Sequence, residues 1–153
     1  MIKRRISGVL AFMAVLVIGA ILGSRLPILG QAGKIAGTYH LDLTTGGGPL
    51  KVLATASSDG IIVGTPVPIG ACLAPGFSLS SGYGSWDIGP GFVRFKVQSL
   101  LLQGGTPVGE VSLIGTGNAA SKVGRGVLQL PPQLQSCAFQ GPFTFVSTPI
   151  ASE

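Results

Sequence analysis

The sequence predicts an all-β fold: a single antiparallel up-and-down barrel of about eight strands, preceded by an N-terminal signal or anchor helix. Charged residues make up only 10% of the chain, so amphipathic surface helices would lack the charged faces they need. Several segments alternate apolar and polar residues with the period of a strand. The chain has 25 glycines and 11 prolines, which cluster between these segments as turn residues do. An apolar content of 46% argues against disorder.

The first 32 residues have the pattern of an export signal. A basic cluster at residues 3–5 precedes an uncharged, largely apolar run over residues 6–23. Gly30-Gln31-Ala32 offers a small-x-small cleavage site, which would start the mature chain at Gly33. Alternatively, residues 6–23 stay in the membrane as an anchor, since the run approaches the length of a span. Both readings predict an extracytoplasmic domain, periplasmic or secreted, that meets the membrane only through this segment.

Residues 33–153 are expected to fold as one β-barrel domain. About 121 residues remain after the leader, which is enough for one core and too few for two. Four basic residues lie in the leader without any acid, so the net charge of +5 falls to +1 for this domain. A nucleic-acid partner requires basic residues clustered on one face, and this nearly neutral domain does not predict one.

The first three strands are predicted to form a meander. Residues 35–44 alternate most clearly and place three apolar side chains on one face: Tyr39, Leu41 and Leu43. A glycine-rich turn leads into a second strand over residues 50–56. Asp59-Gly60 then connects to residues 61–65, and Asp-Gly between apolar runs is a strong hairpin signal.

Residues 66–81 interrupt this regular spacing. The segment is rich in Pro, Gly and Ser, and an irregular stretch of this length is typical of a lid, a binding loop or a mobile segment. Five more strands are expected after it, over residues 82–88, 92–102, 108–117, 123–130 and 138–148. Pro142 should take an edge or bulge position in the last of them, because proline has no N–H to donate.

Three short motifs resemble those of small exported bacterial β-barrels of the lipocalin-like or allene-oxide-cyclase-barrel-like (calycin-type) kind. They are Gly37-Thr38-Tyr39 in the opening strand, the Asp59-Gly60 hairpin, and Gly84-Ser85-Trp86 before a long strand pair. The resemblance covers residues 35–150, and Tyr39 stands where lipocalins have tryptophan. It implies an antiparallel barrel of eight strands, whose interior has room for side chains or one small ligand.

The barrel interior is therefore the candidate ligand site. Period-two parity places Trp86, the only tryptophan, on the same side as Tyr39 and Phe95. The candidate ligand-binding residues are Tyr39, Leu41, Leu43, Trp86, Val93, Phe95, Phe143 and Phe145. The alternative is that these side chains fill the core, which is the more frequent outcome for a barrel of this size.

The reactive residues do not predict a catalytic, metal or cofactor site. His40, the only histidine, shares the polar face of its strand with Asp42, but no second histidine or nucleophile motif accompanies the pair. One histidine and two distant cysteines cannot complete the usual metal ligand sets. Residues 115–120 match G-x-G-x-x-A, yet no helix follows, so we interpret them as a strand end and turn.

Cys72 and Cys137 are predicted to form a disulfide, because an exported chain meets an oxidising compartment. The bond would tether the long loop to the start of the last strand. Reactive-thiol chemistry is the alternative, but neither a Cys-x-x-Cys motif nor a nearby cation marks either residue.

The sequence leaves three functions open. Apolar inward faces without a catalytic set favour a non-enzymatic binding module for a small apolar ligand or a cell-envelope component. The resemblance implies an isomerase or cyclase, with His40, Asp42 or Glu110 as polar participants. A purely structural envelope protein is the third. Parity places these three polar residues outside the barrel, which favours binding over catalysis. The oligomeric state is not predicted.

Overall fold

The computed structural model of the protein describes residues 35–150, which form a closed antiparallel β-barrel. The predicted leader, its cleavage site and the apolar run over residues 6–23 lie outside the described residues. The strands are β1 (Gly37–Thr45), β2 (Gly48–Ala56), β3 (Ile61–Gly64), β4 (Phe77–Leu79), β5 (Gly82–Gly89), β6 (Phe92–Gln103), β7 (Thr106–Asn118), β8 (Val123–Gln129) and β9 (Gly141–Pro149).

Eight of these strands close the barrel, and each pairs with its neighbours in the order β1-β2-β3-β5-β6-β7-β8-β9. The ring closes where β9 pairs with β1, from Tyr39 opposite Pro149 to Thr45 opposite Phe143. The predicted all-β, eight-stranded antiparallel barrel is therefore confirmed. Among residues 35–150, no helix is long and apolar enough to cross a membrane.

The one strand outside the ring, β4, corrects the expectation that residues 66–81 are irregular throughout. Within them lie a turn of 3-10 helix at Gly70–Cys72 and the short strand β4. β4 pairs with the end of β6 that extends beyond β5, with Leu79 opposite Leu101. The pairing depends on β6, which follows later in the chain, so the local sequence gave little sign of it.

The connections between strands lie at the two ends of the barrel. We call one end the terminal end, because residues 37 and 149 lie there. It also carries the β2–β3, β5–β6 and β7–β8 turns. The opposite end, the loop end, carries the long β3–β4 and β8–β9 loops. Val67 and Ile69 on the first loop and Leu134 on the second are buried. These two loops therefore cover the loop end.

The predicted bond between Cys72 and Cys137 joins these two loops. The sulfur atoms lie 2.00 Å apart and the Cα atoms 5.5 Å apart, and Cys137 is buried. The β8–β9 loop also contacts the β1–β2 turn, since a Cβ on Gly46 would lie 3.5 Å from the Ala138 carbonyl oxygen. The loop end is thus closed by packed and covalently linked chain segments.

Pro142 pairs with Val127 of β8 only, because the pairing of β9 with β1 ends at Phe143. The residue thus lies where one side of the strand has no neighbour, and its missing N–H is tolerated there. This is the edge position that the sequence predicted.

Candidate functional site

The interior collects the side chains that sequence parity assigned to it. Six of the eight candidate ligand-binding residues are buried, while Tyr39 and Val93 are half-buried. Trp86 lies directly opposite Phe95 in the β5–β6 register. The centroids of the Phe95 and Phe145 rings are 5.4 Å apart, and those of Phe143 and Phe145 are 6.2 Å apart. Several of the predicted pocket residues therefore pack against one another.

Glycines on β7 and β8 provide the space that these phenylalanine rings occupy. A Cβ on Gly117 would lie 2.8 Å from Cζ of Phe145, and one on Gly124 would lie 2.5 Å from the same ring. A Cβ on Gly115 would overlap the Phe95 ring. The rings thus lie directly against the inner surface of these two strands, as close packing of a core requires. At this level of the barrel, side chains fill the inside of the β7–β8 wall.

The polar ends of two interior aromatic residues are bound by backbone carbonyls. The Nε1 of Trp86 donates to the carbonyl oxygens of Ser57, at 2.9 Å, and Ile61, at 3.1 Å. The hydroxyl of Tyr39 donates to the Ile35 carbonyl oxygen at 2.6 Å. Desolvation by burial raises the pKa of the Tyr39 hydroxyl. Both groups therefore anchor the terminal end of the barrel.

The three polar residues considered for catalysis do not meet inside the barrel. His40 and Glu110 are exposed, and Asp42 lies 3.2 Å from Nζ of Lys51 on the neighbouring strand. Hydrogen bonds from Gln98 and Ser112, followed by the nearby charge of Lys96, lower the pKa of Glu110. Among residues 35–150, no cluster of three His, Cys, Asp or Glu side chains could hold a metal ion.

A second candidate site lies on the outside of the barrel, where strand register aligns four polar side chains. Thr116 pairs with Arg125, Arg125 with Thr144, and Thr144 with Thr44. All four side chains are exposed. We call this line of residues across β7, β8, β9 and β1 the threonine–arginine row.

The threonine–arginine row borders two open depressions with volumes of about 690 and 600 Å³. The first, here the upper depression, lies toward the loop end and is lined by Ile114, Val127 and Pro142. The second, the lower depression, lies toward the terminal end and contains Val123, Val146 and Asp42. Exposed aliphatic side chains therefore flank the row on both sides.

Arg125 differs from Arg94 and Lys51 on the described strands in its pairing. Arg94 donates to both carboxylate oxygens of Asp87, and Lys51 contacts Asp42. Within residues 35–150, Arg125 forms no ion pair with a carboxylate. Its guanidinium thus offers its donors beside Thr116 and Thr144, its neighbours in the strand register.

Sequence reasoning did not find this outer site, because its residues come from four strands separated along the chain. Each of the four positions has outward parity, but only the closed register shows that they are adjacent. A detectable signal was the spacing of Gly115 and Gly117 on β7 and of Gly124 and Gly126 on β8. These glycines alternate with the outward residues Thr116 and Arg125.

The comparisons with known proteins add no relative. The chain matches no protein family model, and the searches of curated proteins and of solved structures gave no match either.

Proposed function

We propose that the protein is a non-enzymatic binding module that works outside the cytoplasm and recognises a component of the cell envelope. The observation that carries this proposal is the contrast between the two sides of the β7–β9 wall. Phenylalanine rings pack against its inner side, while its outer side has open depressions beside Arg125. Apolar side chains combined with a few polar groups are the usual lining of a binding site.

Two features support a location outside the cytoplasm. The basic and apolar leader has the composition of an export signal. The Cys72–Cys137 bond suits an oxidising compartment, since structural disulfides are rare in the cytosol. Both features are expected of an envelope protein.

The placement of the polar residues favours binding over isomerase or cyclase chemistry. General acid–base catalysis requires a titratable group within hydrogen-bond reach of a bound substrate. His40, Asp42 and Glu110 lie on the outer faces of their strands, and Asp42 and Glu110 contact neighbouring side chains there. A substrate inside the barrel would be separated from all three by the strands themselves.

The proposal is tested by purifying the full chain from its own cell envelope and recording a native mass spectrum. We expect an added mass that organic extraction removes and identifies. Trp86 emission is the control for whether the component binds outside or inside the barrel, because this side chain lies inside. Release of an externally bound component should leave the emission unchanged. A spectrum without any added mass, together with turnover of a substrate, would overturn the proposal.

A further inference from the structure

The upper depression combines features that suit one kind of ligand. Its walls carry aliphatic side chains, including Ile114 and Val127, which are 38% and 43% exposed. Its border is the threonine–arginine row, where the guanidinium of Arg125 has no carboxylate partner among the described residues. An apolar surface beside an available cation is complementary to an anionic amphiphile.

We propose that the upper depression and the threonine–arginine row bind the anionic headgroup of a membrane phospholipid. This inference deepens the proposed function and rests on it, and it replaces the expectation that the domain meets the membrane only through the leader. The phosphate would lie on Arg125, whose planar guanidinium donates two parallel hydrogen bonds to such a group. The hydroxyls of Thr116 and Thr144 flank it, and the glycerol and upper acyl carbons would contact Ile114, Val127 and Pro142.

Charge distribution selects the upper depression over the lower one. Asp42 lines the lower depression, and a carboxylate there disfavours an anionic ligand. Arg125 lines the upper depression, and none of the described residues that line it carries a carboxylate. Lys96 is opposite Ile114 in the β6–β7 register, but its charge acts on the nearby Glu110.

The test measures sedimentation of residues 33–153 with vesicles of phosphatidylcholine, with and without phosphatidylglycerol, because the basic and apolar leader would itself bind vesicles. Every strand pair of the closed barrel lies within this part of the chain. We expect binding only when the anionic lipid is present. The variant Arg125→Gln should bind about fivefold more weakly, since one cation near an anionic surface contributes about that factor. Arg125→Lys should recover only part of the binding, because an ammonium group keeps the charge and loses the two parallel donors.

Arg94→Gln is the matched control. It removes one positive charge from the same level of the outer face, but Arg94 is already paired with Asp87. We expect its binding to stay close to that of the unaltered protein. Equal weakening by Arg94→Gln and Arg125→Gln would overturn the inference, because it would show attraction by net charge alone. Unchanged Trp86 emission in each variant verifies that the barrel is intact.

Other results of these binding experiments would overturn lipid binding alone or the proposed function as well. Binding to an acidic polysaccharide in place of vesicles, with the same dependence on Arg125, would overturn the lipid assignment and leave the proposed function standing. Envelope binding that is insensitive to Arg125→Gln would have the same consequence. Absence of binding to vesicles and to extracted envelope material alike would overturn both.

Discussion

The Trp86 side chain combines a buried aromatic ring with a hydrogen-bonded indole N–H. The residue is 6% exposed, and its indole N–H donates to two carbonyl oxygens at the β2–β3 turn. An indole buried without a partner would lose the hydrogen bond that it makes to water, so these contacts allow the ring to lie inside. Trp86 therefore fixes the β2–β3 turn to the terminal end of the barrel.

Replacing Trp86 should separate these two contributions. We expect Trp86→Ala to lower the free energy of unfolding by about 3 to 5 kcal/mol, as large-to-small core changes do. Trp86→Phe keeps an aromatic ring and loses the N–H, so about 1 to 2 kcal/mol is expected. Chemical denaturation of both variants measures the difference. The native tryptophan emission should be blue-shifted and protected from soluble quenchers, and a red-shifted, freely quenched emission would contradict its burial.

The hydrogen bonds of Glu110 predict that this residue makes the stability of the protein depend on pH. Hydrogen bonds from Gln98 and Ser112 stabilise its carboxylate and hold its pKa below the usual value. A carboxyl group whose pKa is lowered on folding stabilises the protein above its unfolded pKa, and that contribution is lost as the pH falls through the folded pKa. Gln98→Ala should raise the pKa of Glu110, as followed by NMR titration. Gln103→Ala, on the same strand, is the control, and equal shifts in both variants would exclude this cause.

At the scale of elements, small inward residues on β7 and β8 are matched to large inward residues on the strands they face. Glycines occupy two successive inward positions on β7, at 115 and 117, and two on β8, at 124 and 126, where they meet the rings of Phe95, Phe143 and Phe145. Large residues on some strands require small ones on the strands they face, because interiors are packed without gaps. The same glycine spacing also places Thr116 and Arg125 outward. Packing inside thus determines the register of the outer row.

Gly115→Ala tests this matching. The added Cβ would overlap the Phe95 ring, so we expect a loss of about 1 to 3 kcal/mol in unfolding free energy. Gly70→Ala is the control, because its Cβ would meet no atom within 4 Å. Thermal denaturation compares the two. Combining Gly115→Ala with Phe95→Leu should recover part of the loss, and the absence of any recovery would argue against a clash with the ring.

The sequence predicted the eight barrel strands, their up-and-down order and the Cys72–Cys137 bond, but it predicted neither the pairing of β4 nor the outer row. All eight barrel strands were expected within a few residues of their bounds, because each alternates or follows a clear turn such as Asp59-Gly60. The strand β4 was not expected, since its three residues pair with β6 across a distance in sequence. The outer row escaped prediction for the same reason. Local sequence patterns predict single strands, but side chains from four different strands become neighbours only once the barrel has closed.

For the whole molecule, the Cys72–Cys137 bond links the two loops that cover the loop end. The residues are 65 positions apart, and a cross-link of this span reduces the conformational freedom of the unfolded chain. The strand pairs that close the barrel do not include either cysteine. The bond therefore adds stability to a barrel whose ring is complete without it.

Replacing both cysteines with serine should lower the free energy of unfolding by about 2 to 4 kcal/mol and leave the barrel folded. Denaturant titration gives the stability, and far-ultraviolet circular dichroism reports the strands. Reduction of the unaltered protein serves as the control and should have a similar effect. Equal stability of the oxidised and double-serine proteins would contradict the prediction, as would free thiols in non-reducing peptide maps.

The adjacency of β1 and β9 brings the two ends of the described chain together. The amide of Ile150 donates to the carbonyl oxygen of Thr38 at 2.8 Å, so a short linker could join these ends directly. The turn at Gly104-Gly105 could then be opened to create new ends. Such a circular permutant would keep every strand pair and the disulfide. The barrel is thus a ring whose starting point along the chain can be chosen by the experimenter.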